Sequence, residues 1–319
     1  MNKRRKLAYL AAATTAIIWG AAMPVVKPAL DIIDPHQFLF LRFALSGVLL
    51  LPIIIYHIGK KTFPFRLLPT IIGLETVSML ALYLIYLGLD HTQALQASFI
   101  INTKPIFVTL AGIFILREKE ENHELLGLVL AVIGTALVLS SPLIFAHTAV
   151  LVGSKVMWGN IIVLAAVFVD VYYLTRVKNL YPKVSKSLIV ALSSLVGLVL
   201  FGAIDYLSGE TITPTAITNP AVLLAVLYMG TLGTILAFML NLFAYTNIEA
   251  SEASLFEYLN PLVYIPLSVF WLKDVLFPTQ LVGIIIIGLG VFIAEKRYRR
   301  FKNASPLVKY LSDTAIKTS

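Results

Sequence analysis

The sequence predicts an all-α integral membrane protein with ten transmembrane helices, arranged as two inverted five-helix repeats. Composition is the first reason for this fold class. Of the 319 residues 59% are hydrophobic and 13% are charged, whereas a soluble domain has about 25% charged residues. An internal repeat is the second reason, because a shift of 156 positions places one half of the chain over the other without a gap. Because so few residues are charged, lipid must surround most of the chain.

Small residues and prolines carry this repeat, at equal spacing in two long apolar segments. The matching pairs are Ala97 and Ala253, Ser98 and Ser254, Pro105 and Pro261, Glu118 and Asp274, and Gly134 and Gly290. Apolar segments that are interrupted by proline at matching places in two halves are the best sequence indication of a transporter's binding site. The repeat therefore favours a transport function.

Ten apolar runs have the roughly 17–25 residues that a transmembrane helix requires. They are 7–26, 36–56, 66–87, 92–114, 125–145, 159–177, 184–204, 220–244, 250–271 and 279–296. The third to fifth runs match the eighth to tenth under the repeat. The connections between the runs are mostly short, which predicts that neighbouring helices are antiparallel. No segment is left for a soluble domain of useful size.

We expect a first five-helix repeat over 1–147, a second over 148–298 and a basic cytoplasmic tail over 299–319. Because five is an odd number, the second repeat enters the membrane in the opposite sense to the first. Two inverted copies can open to either side of the membrane by equivalent movements. Alternating access is therefore the expected mechanism.

The distribution of lysine and arginine sets the expected orientation. With the N-terminus in the cytoplasm, the cytoplasmic segments contain most of the 25 basic residues, and the C-terminus is cytoplasmic as well. The net charge of +8 is then a topology signal, and no nucleic-acid partner is expected. A cleaved signal peptide over 3–26 is the alternative for the first run, but its loss would break the pairing of the halves. We expect a multi-pass protein of the cytoplasmic (inner) membrane.

Five charged residues fall in the interior of predicted spans, away from the span ends. Glu75, Lys104 and Asp170 lie near the middle of theirs, and Arg42 and Glu257 lie about a third of the way in. A charge at the bilayer centre costs roughly 2.5–3.5 kcal/mol on insertion scales, so such residues indicate function. The repeat places packing residues at matching positions in the two halves, but it does not match these charges. This pattern is typical of a common scaffold around a cavity whose lining is asymmetric.

Each of these charges has more than one interpretation. Lys104 forms a buried pair with Glu75 or Asp170, or it binds a substrate carboxylate or phosphate. Asp170 and Glu257 are proton-coupling candidates, since burial favours the protonated form of a carboxyl group, and structural pairing is the alternative for both. Arg42 is expected to extend to the outer surface as an anchor.

Pro105 and Pro261 are expected to kink the fourth and ninth helices. A proline within a helix has no N–H and crowds the carbonyl four residues earlier. It therefore frees the carbonyl oxygens of Ile101 and Glu257, which in lipid must find a partner or face a watery cavity. The kinks either shape packing alone or bend both helices around a substrate path.

The substrate-binding candidates are Trp19, Glu75, Asn102, Lys104, Asp170, Tyr258 and Asn260. Asn102 and Asn260 share the stretches that contain the prolines, and Trp19 and Tyr258 lie deep enough to line a cavity. Tyr86 is close to a helix end, which favours a place in the aromatic belt at the membrane surface. The glycines of the repeat are expected to allow close helix packing; they are Gly127, Gly134, Gly283 and Gly290.

Four stretches together carry a family resemblance. They are Leu84–Ser98 with Pro105 and Leu116-Arg-Glu118, Phe243–Ser254 with Pro261 and Leu272-Lys-Asp274, Ile18-Trp-Gly20 with Pro24 and Lys27, and Leu41-Arg-Phe43. They resemble the EamA-type repeat of the drug/metabolite transporter (DMT) superfamily over nearly the whole chain. The resemblance implies ten helices around a central cavity and the movement of small metabolites. This chain departs from the usual pattern at Lys104, where a small or polar residue is commoner before the proline.

The expected function is secondary transport of a small metabolite, an amino acid or related solute, with export and proton coupling. The alternative is a sugar-phosphate or nucleotide-sugar carrier, followed by a non-transporting membrane protein or an intramembrane enzyme. The sequence has no cysteine, no HExxH pair, no P-loop and no GxSxG elbow, so no catalytic residue, metal or cofactor is expected. The expected partners are the solute and the lipid bilayer, and a homodimer is left open.

Overall fold

The computed structural model describes residues 3–104, 154–177, 184–247 and 259–294, together with 107, 126–127, 129–130, 133–134, 136–137 and 256. These residues are almost entirely helical, and no strand occurs among them. A helix satisfies its own backbone hydrogen bonds, which lipid cannot do. The prediction of an all-α chain is therefore confirmed for the described part of the protein.

The helices follow one another along the chain in two groups. The first group is α1 (Lys3–Gly20), α2 (Ala22–Leu30), α3 (Pro35–Gly59), α4 (Leu68–His91) and α5 (Ala94–Ile101), with a 3₁₀ turn at Phe65–Leu67. The second group is α6 (Ser154–Val177), α7 (Lys186–Ser208), α8 (Pro214–Ile217), α9 (Pro220–Leu227), α10 (Ala237–Asn247), α11 (Asn260–Pro266) and α12 (Pro278–Ala294). Two π-helical stretches, Tyr228–Leu236 and Leu267–Trp271, follow α9 and α11.

Local capping signals set several of these boundaries. Asp34 and Gln37 form a reciprocal capping box at the start of α3, in which each side chain accepts from the other's backbone N–H. At the start of α9 the Asn219 side chain accepts a hydrogen bond from the Ala221 N–H at 2.9 Å. α7 ends at Gly209, whose φ of 70° lies in the left-handed region that glycine tolerates.

Six helical stretches of the described residues are long and apolar enough to cross a bilayer. They are Arg4–Leu30, Pro35–Gly59, Phe65–His91, Lys155–Tyr173, Lys186–Ser208 and Pro220–Ala244. They coincide with the expected first to third and sixth to eighth spans. Two shorter apolar helices, Leu262–Trp271 and Pro278–Gly290, fall at the expected ninth and tenth spans. Most of the expected fourth and fifth spans lies outside the described residues.

Neighbouring helices approach closely at glycines. α4 packs along α6, and a Cβ atom added to Gly88 would lie 2.7 Å from the carbonyl oxygen of Gly159. A Cβ atom added to Gly134 would lie 2.6 Å from the carbonyl oxygen of Gly283. Close backbone contact at small residues is a principal means of helix association in lipid. The packing role predicted for Gly134 and Gly283 is therefore confirmed.

The eighth expected span contains the π-helical stretch Tyr228–Leu236. Within it the Thr234 hydroxyl donates to the Met229 carbonyl oxygen, five residues earlier, at 2.7 Å. The stretch packs against α1, α2 and α3, which places it inside the bundle. π-helical segments within transmembrane or soluble helices are frequently found at functional sites.

Three hydrogen bonds join α1 to this span. Thr15 Oγ1 donates to Ala237 O at 3.4 Å, Trp19 Nε1 donates to Gly233 O at 3.1 Å, and Tyr228 OH donates to Ile18 O at 2.7 Å. The Trp19 ring also meets the Phe238 ring edge-on, with 5.3 Å between the ring centres. Trp19, a predicted lining residue, therefore lies at the contact between α1 and the π-helical stretch.

Candidate functional site

At positions related by the repeat, helical structure begins directly after a turn in the first half of the chain and after a 3₁₀ residue in the second half, and we call these two places the helix breaks. After α5 a turn covers Asn102 and Thr103, and helical structure resumes at Lys104. In the second half α11 begins at Asn260, directly after a 3₁₀ residue at Leu259. Lys104 and Asn260 correspond under the shift of 156 positions, so the helix restarts at the same place in each half.

This break changes the interpretation of Pro261. The sequence predicted a kink within a continuous ninth helix, whereas Pro261 lies in the first turn of α11. A proline at the start of a helix removes no intrahelical hydrogen bond, and its φ is already suited to the helix. Pro261 therefore starts a helix instead of bending one. Its counterpart Pro105 lies outside the described residues.

The two breaks touch one another through side-chain amides. Asn102 Nδ2 donates to the Tyr264 hydroxyl at 3.0 Å, and Asn260 Nδ2 donates to Asn102 Oδ1 at 3.5 Å. Asn260 Oδ1 is buried and has no hydrogen-bond partner among the described residues. Because buried polar atoms are almost always paired, this oxygen is a candidate acceptor for a ligand.

Gly20 packs α1 against the second break. A Cβ atom added to Gly20 would lie 3.1 Å from the Asn260 carbonyl oxygen and 3.0 Å from the Val263 Cβ. A larger residue at this position would push α1 away from the start of α11. The glycine of the Ile18-Trp-Gly20 motif therefore shapes one side of the space around Asn260.

Lys104 lies directly after the first break and forms an ion pair with Asp170 of α6. Its Nζ is 3.2 Å from Asp170 Oδ2, and the two side chains are 24% and 22% exposed. The sequence left Glu75 and Asp170 open as partners of Lys104, and in the structure the partner is Asp170.

Glu75 of α4 is a buried acidic group that bonds the same helix, α6, that carries Asp170. The side chain is 1% exposed and accepts a hydrogen bond from the Tyr173 hydroxyl of α6 at 3.0 Å. Ser193 of α7 is its other hydrogen-bonding neighbour. Tyr173 and Asp170 are three residues apart on α6 and share one face of that helix.

Arg42 of α3 corrects two expectations about the membrane surface. It was expected to extend to the outer surface, but it is 3% exposed. Its Nε donates to Thr234 Oγ1 at 2.9 Å, and its Nη1 donates to the Tyr86 hydroxyl at 3.0 Å. Tyr86, expected in the surface belt, is 1% exposed. One buried cation therefore joins α3, α4 and the π-helical stretch.

We expect Arg42→Lys to lower the free energy of unfolding by about 1–2 kcal/mol. A lysine ammonium lacks the planar fork of a guanidinium, so it cannot bond Thr234 and Tyr86 with the same geometry. Thermal unfolding of the purified protein in detergent measures the change, with Arg66→Lys on the exposed 3₁₀ turn as control. Equal unfolding midpoints for the two variants would contradict the bridging role of Arg42.

Two residues of the family motifs, Lys27 and Asp274, bond backbone groups where α4 ends and α5 begins. Lys27 Nζ donates to the carbonyl oxygens of Leu89 and Asp90, each at 2.9 Å, in the last turn of α4. Asp274 Oδ2 accepts from the Leu95 N–H at 3.0 Å, in the first turn of α5. The helix dipole favours a cation at a C-terminus and an anion at an N-terminus. Burial raises the pKa of Asp274 above its ordinary value, and the Leu95 N–H and Lys27 partly oppose this rise.

A buried network of polar side chains lies next to these hydrogen bonds. Thr92 Oγ1 donates to Asn160 Oδ1 at 2.6 Å, and Asn160 Nδ2 donates to Gln96 Oε1 at 2.8 Å. All three side chains are buried. The network connects the beginnings of α5 and α6 to the end of α4, so polar contacts join three helix ends at this place.

Two of the predicted site residues, Tyr258 and Glu257, lie outside the described residues. Sequence reasoning did not single out Tyr264 or Thr234, although each bonds a residue that it did consider. The available signal for Arg42 was its place within an uninterrupted apolar run, where an arginine facing lipid would be costly. No comparable signal marks Tyr264 or Thr234, since tyrosine and threonine are common in such helices.

An open groove of about 550 Å³ lies away from these contacts, and Phe40, Gly202, Asp205 and Tyr206 are among its lining residues. It contains none of the predicted site residues. We therefore place the candidate site at the helix breaks, where Asn102, Lys104 and Asn260 meet groups from other helices.

The profile of the EamA-like transporter family matches residues 6–140 and 157–295. The chain belongs to the EamA-like transporter family. The resemblance predicted from the motifs is thereby confirmed. This EamA-like protein is a multi-pass protein of the cell membrane, as its long apolar helices also indicate.

Curated relatives of this EamA-like chain are named as transporters. A protein of Archaeoglobus fulgidus named "Uncharacterized transporter" is 26% identical over 292 residues, which cover 91% of this chain and 97% of its own. YetK of Bacillus subtilis, also named as an uncharacterized transporter, is 26% identical over 305 residues, covering 91% and 87%. YhbE of Escherichia coli, named as an inner membrane transporter, is 24% identical over 208 residues, covering 63% of each chain.

The fold of the EamA-like chain also occurs in a solved crystal structure. The two superpose with a TM-score of 0.64 at 15% sequence identity, covering 92% of this chain and 98% of the other. At this identity the likeness concerns the fold alone.

Proposed function

We propose that this EamA-like protein is a secondary transporter that moves a small polar metabolite across the cell membrane by alternating access. The contact between the two helix breaks, Asn102 with Asn260, is the observation that carries the proposal. Broken helices expose backbone and side-chain polar groups that a solute can bind within the membrane. A solute at this contact would touch both halves of the chain and respond to their relative movement.

The architecture in this proposal is two inverted five-helix repeats, 1–147 and 148–298. Both termini and the tail 299–319 lie in the cytoplasm. The gapless sequence repeat supports this arrangement, and so do the helix restarts at the corresponding residues Lys104 and Asn260. In this orientation the polar contacts at the end of α4 lie on the outer side of the membrane.

The ion pair of Lys104 and Asp170 favours a zwitterionic solute, an amino acid or a related compound. A solute with an ammonium and a carboxylate group can exchange partners with such a pair, so that every charge keeps an opposite neighbour. Asn102 and Asn260 add neutral donors and acceptors. The solute is exported without chemical conversion, so the proposed activity is not that of an enzyme.

Proton exchange is the proposed driving force for export. Asp170 is one candidate for the coupling group, because a solute carboxylate that binds Lys104 would release Asp170 from its ion pair. An unpaired carboxyl group in apolar surroundings favours its protonated form. Glu257 is proposed for the same role from the sequence alone.

A carrier of phosphorylated solutes is the second candidate function. Arg42 favours it, because no carboxylate among the described residues pairs with this buried guanidinium. Arginine binds phosphate well, through parallel N–H donors. This candidate predicts exchange of sugar phosphates instead of amino acids.

Counterflow in proteoliposomes tests both candidates. Vesicles loaded with unlabelled L-amino acids are expected to take up a radiolabelled amino-acid mixture, and vesicles loaded with sugar phosphates are not expected to take up labelled sugar phosphate. Asn260→Leu is expected to reduce the uptake at least about fivefold, since it removes a buried hydrogen-bonding group at the site. Uptake of neither solute class above protein-free vesicles would contradict the proposed transport, and uptake of sugar phosphate alone would support the second candidate.

A further inference from the structure

We propose that Glu75 is a proton-binding site of this protein, which holds one proton in the described state and releases it when the bundle rearranges. The proposal adds a coupling residue to the proposed transport function and rests on that function for its physiological meaning. The site itself is defined by the surroundings of one carboxyl group.

Neutral groups surround this carboxyl group. Glu75 is 1% exposed, at the place where α4 packs against α6 and α7. The Tyr173 hydroxyl donates to Glu75 Oε1 at 3.0 Å, and Ser193 is the second hydrogen-bonding neighbour. Buried apolar residues of the same helices, Ile71 of α4 and Leu188 of α7, belong to the same cluster as Tyr173.

The elements packed against α4 carry several charged and titratable groups. They are Lys27 of α2, His36, Arg42, Tyr56 and His57 of α3, Arg66 of the 3₁₀ turn, Lys155, Asp170, Tyr172, Tyr173 and Arg176 of α6, and Lys186, Asp205 and Tyr206 of α7. Among these groups only Tyr173 bonds Glu75.

The nearby cations within the described residues are engaged elsewhere. Lys104 pairs with Asp170, Lys186 donates to the Leu242 carbonyl oxygen at 3.2 Å, and Arg42 donates to Tyr86 and Thr234. Glu75 therefore has no cationic partner in the part of the chain that the structure describes.

A buried carboxyl group in such surroundings is less costly as the neutral acid than as the anion. An ionised carboxylate away from water and without a cation is among the most costly groups to bury. The neutral acid keeps the hydrogen bond from Tyr173 on one oxygen and holds the proton on the other. Asp170 differs, because it has Lys104 as a cationic partner. Glu75 is therefore the residue to which we assign a proton in the described state.

Release of the proton requires a change in the contact between α4 and α6. When these helices separate enough for water to reach Glu75, the carboxylate becomes solvated and its ionised form is favoured. Tyr173 and Asp170 lie on one face of α6, so a movement that disturbs the Lys104–Asp170 pair also disturbs the surroundings of Glu75. The structure thus links the proton site to the proposed solute site through one helix.

The probe for a protonated buried carboxyl group is N,N′-dicyclohexylcarbodiimide, which reacts with the acid form in apolar surroundings. Purified full-length protein in detergent is treated over a pH series, and modified peptides are identified by mass spectrometry. We expect modification of Glu75, with a yield that falls at least about tenfold from about pH 6 to about pH 9. Asp170 in the same sample is the internal control and is expected to stay unmodified, because it is paired with Lys104.

Two variants sharpen this experiment. Glu75→Gln keeps an acceptor for Tyr173 and is expected to abolish modification at this position. Tyr173→Phe removes a donor that stabilises the carboxylate, so modification is expected to persist to higher pH than in the wild type. If Glu75→Gln does not fold, the wild-type pH series still decides the question. Absence of modification at Glu75, or a yield that is the same across the series, would overturn the proton site.

A transport measurement separates this proposal from the proposed function. In proteoliposomes Glu75→Gln is expected to lose accumulation of the labelled amino-acid mixture that is driven by a pH gradient, whereas Lys60→Ala, at the exposed end of α3, is expected to keep it. Gradient-driven accumulation equal to that of the wild type would overturn the coupling role of Glu75. Wild-type protein that shows pH-dependent modification of Glu75 without any flux would support the proton site and contradict the transport proposal.

Discussion

Lys104→Ala is expected to reduce amino-acid counterflow at least about tenfold, because truncating one member of a close charge pair costs roughly 2–5 kcal/mol. The substitution leaves Asp170 without its cation and removes the proposed partner of the solute carboxylate. Counterflow is measured in proteoliposomes that contain equal amounts of folded protein. Lys60→Ala, at the exposed end of α3, is the matched control and is expected to transport like the wild type.

An exchange of the two charges separates solute recognition from structural pairing. The double variant Lys104→Asp with Asp170→Lys can re-form the ion pair in reverse, so its unfolding midpoint is expected to return towards the wild-type value. Its counterflow is expected to stay low, because the solute then meets each charge in the wrong place. Full recovery of both stability and counterflow would show that the pair is structural only.

Gly88→Ala is expected to lower the unfolding midpoint by roughly 5–10 °C, through a loss of about 2–3 kcal/mol. The added Cβ atom would lie 2.7 Å from the Gly159 carbonyl oxygen and 3.0 Å from the Val163 nitrogen. These are backbone atoms of α6, so they can give way only if α4 and α6 separate. Thermal unfolding in detergent measures the change.

Gly73→Ala is the matched control on the same helix. A Cβ atom added to Gly73 would have no atom within 4 Å, and alanine favours a helix over glycine by about 1 kcal/mol. The control is therefore expected to be as stable as the wild type or slightly more stable. The same midpoint for both variants would contradict the close approach of α4 and α6.

The membrane fold class was predictable because lipid constrains sequence more strictly than water does. A helix in hydrocarbon must be apolar along its whole span, and the expected runs 36–56 and 184–204 coincide with Pro35–Gly59 and Lys186–Ser208. The second broken helix was predicted at the right place but as a kink. The missing N–H of Pro261 shows where hydrogen bonding must change, and it does not show whether the helix bends there or starts again.

Positions along a helix were easier to predict than directions around it. Lys104 and Asp170 were placed at similar depths, so their pairing was one of the expected arrangements. The depth of Arg42 along its span suggested the outer surface, but its side chain turns inward to Tyr86 and Thr234. A span that is apolar on all sides has no periodic signal to mark its inner face. The choice between Asp170 and Glu75 as partner of Lys104 likewise depended on rotations that the sequence does not specify.

The π-helical stretch Tyr228–Leu236 corresponds under the repeat to residues 72–80, which are part of the regular helix α4. Two identical inverted copies would give inward-open and outward-open forms of equal free energy. A π-helical stretch has wider turns, so it rotates the residues that follow it relative to the corresponding residues of the first repeat. The two repeats therefore cannot adopt each other's conformations without a difference in free energy. On the proposed mechanism, the empty carrier therefore has a preferred resting side.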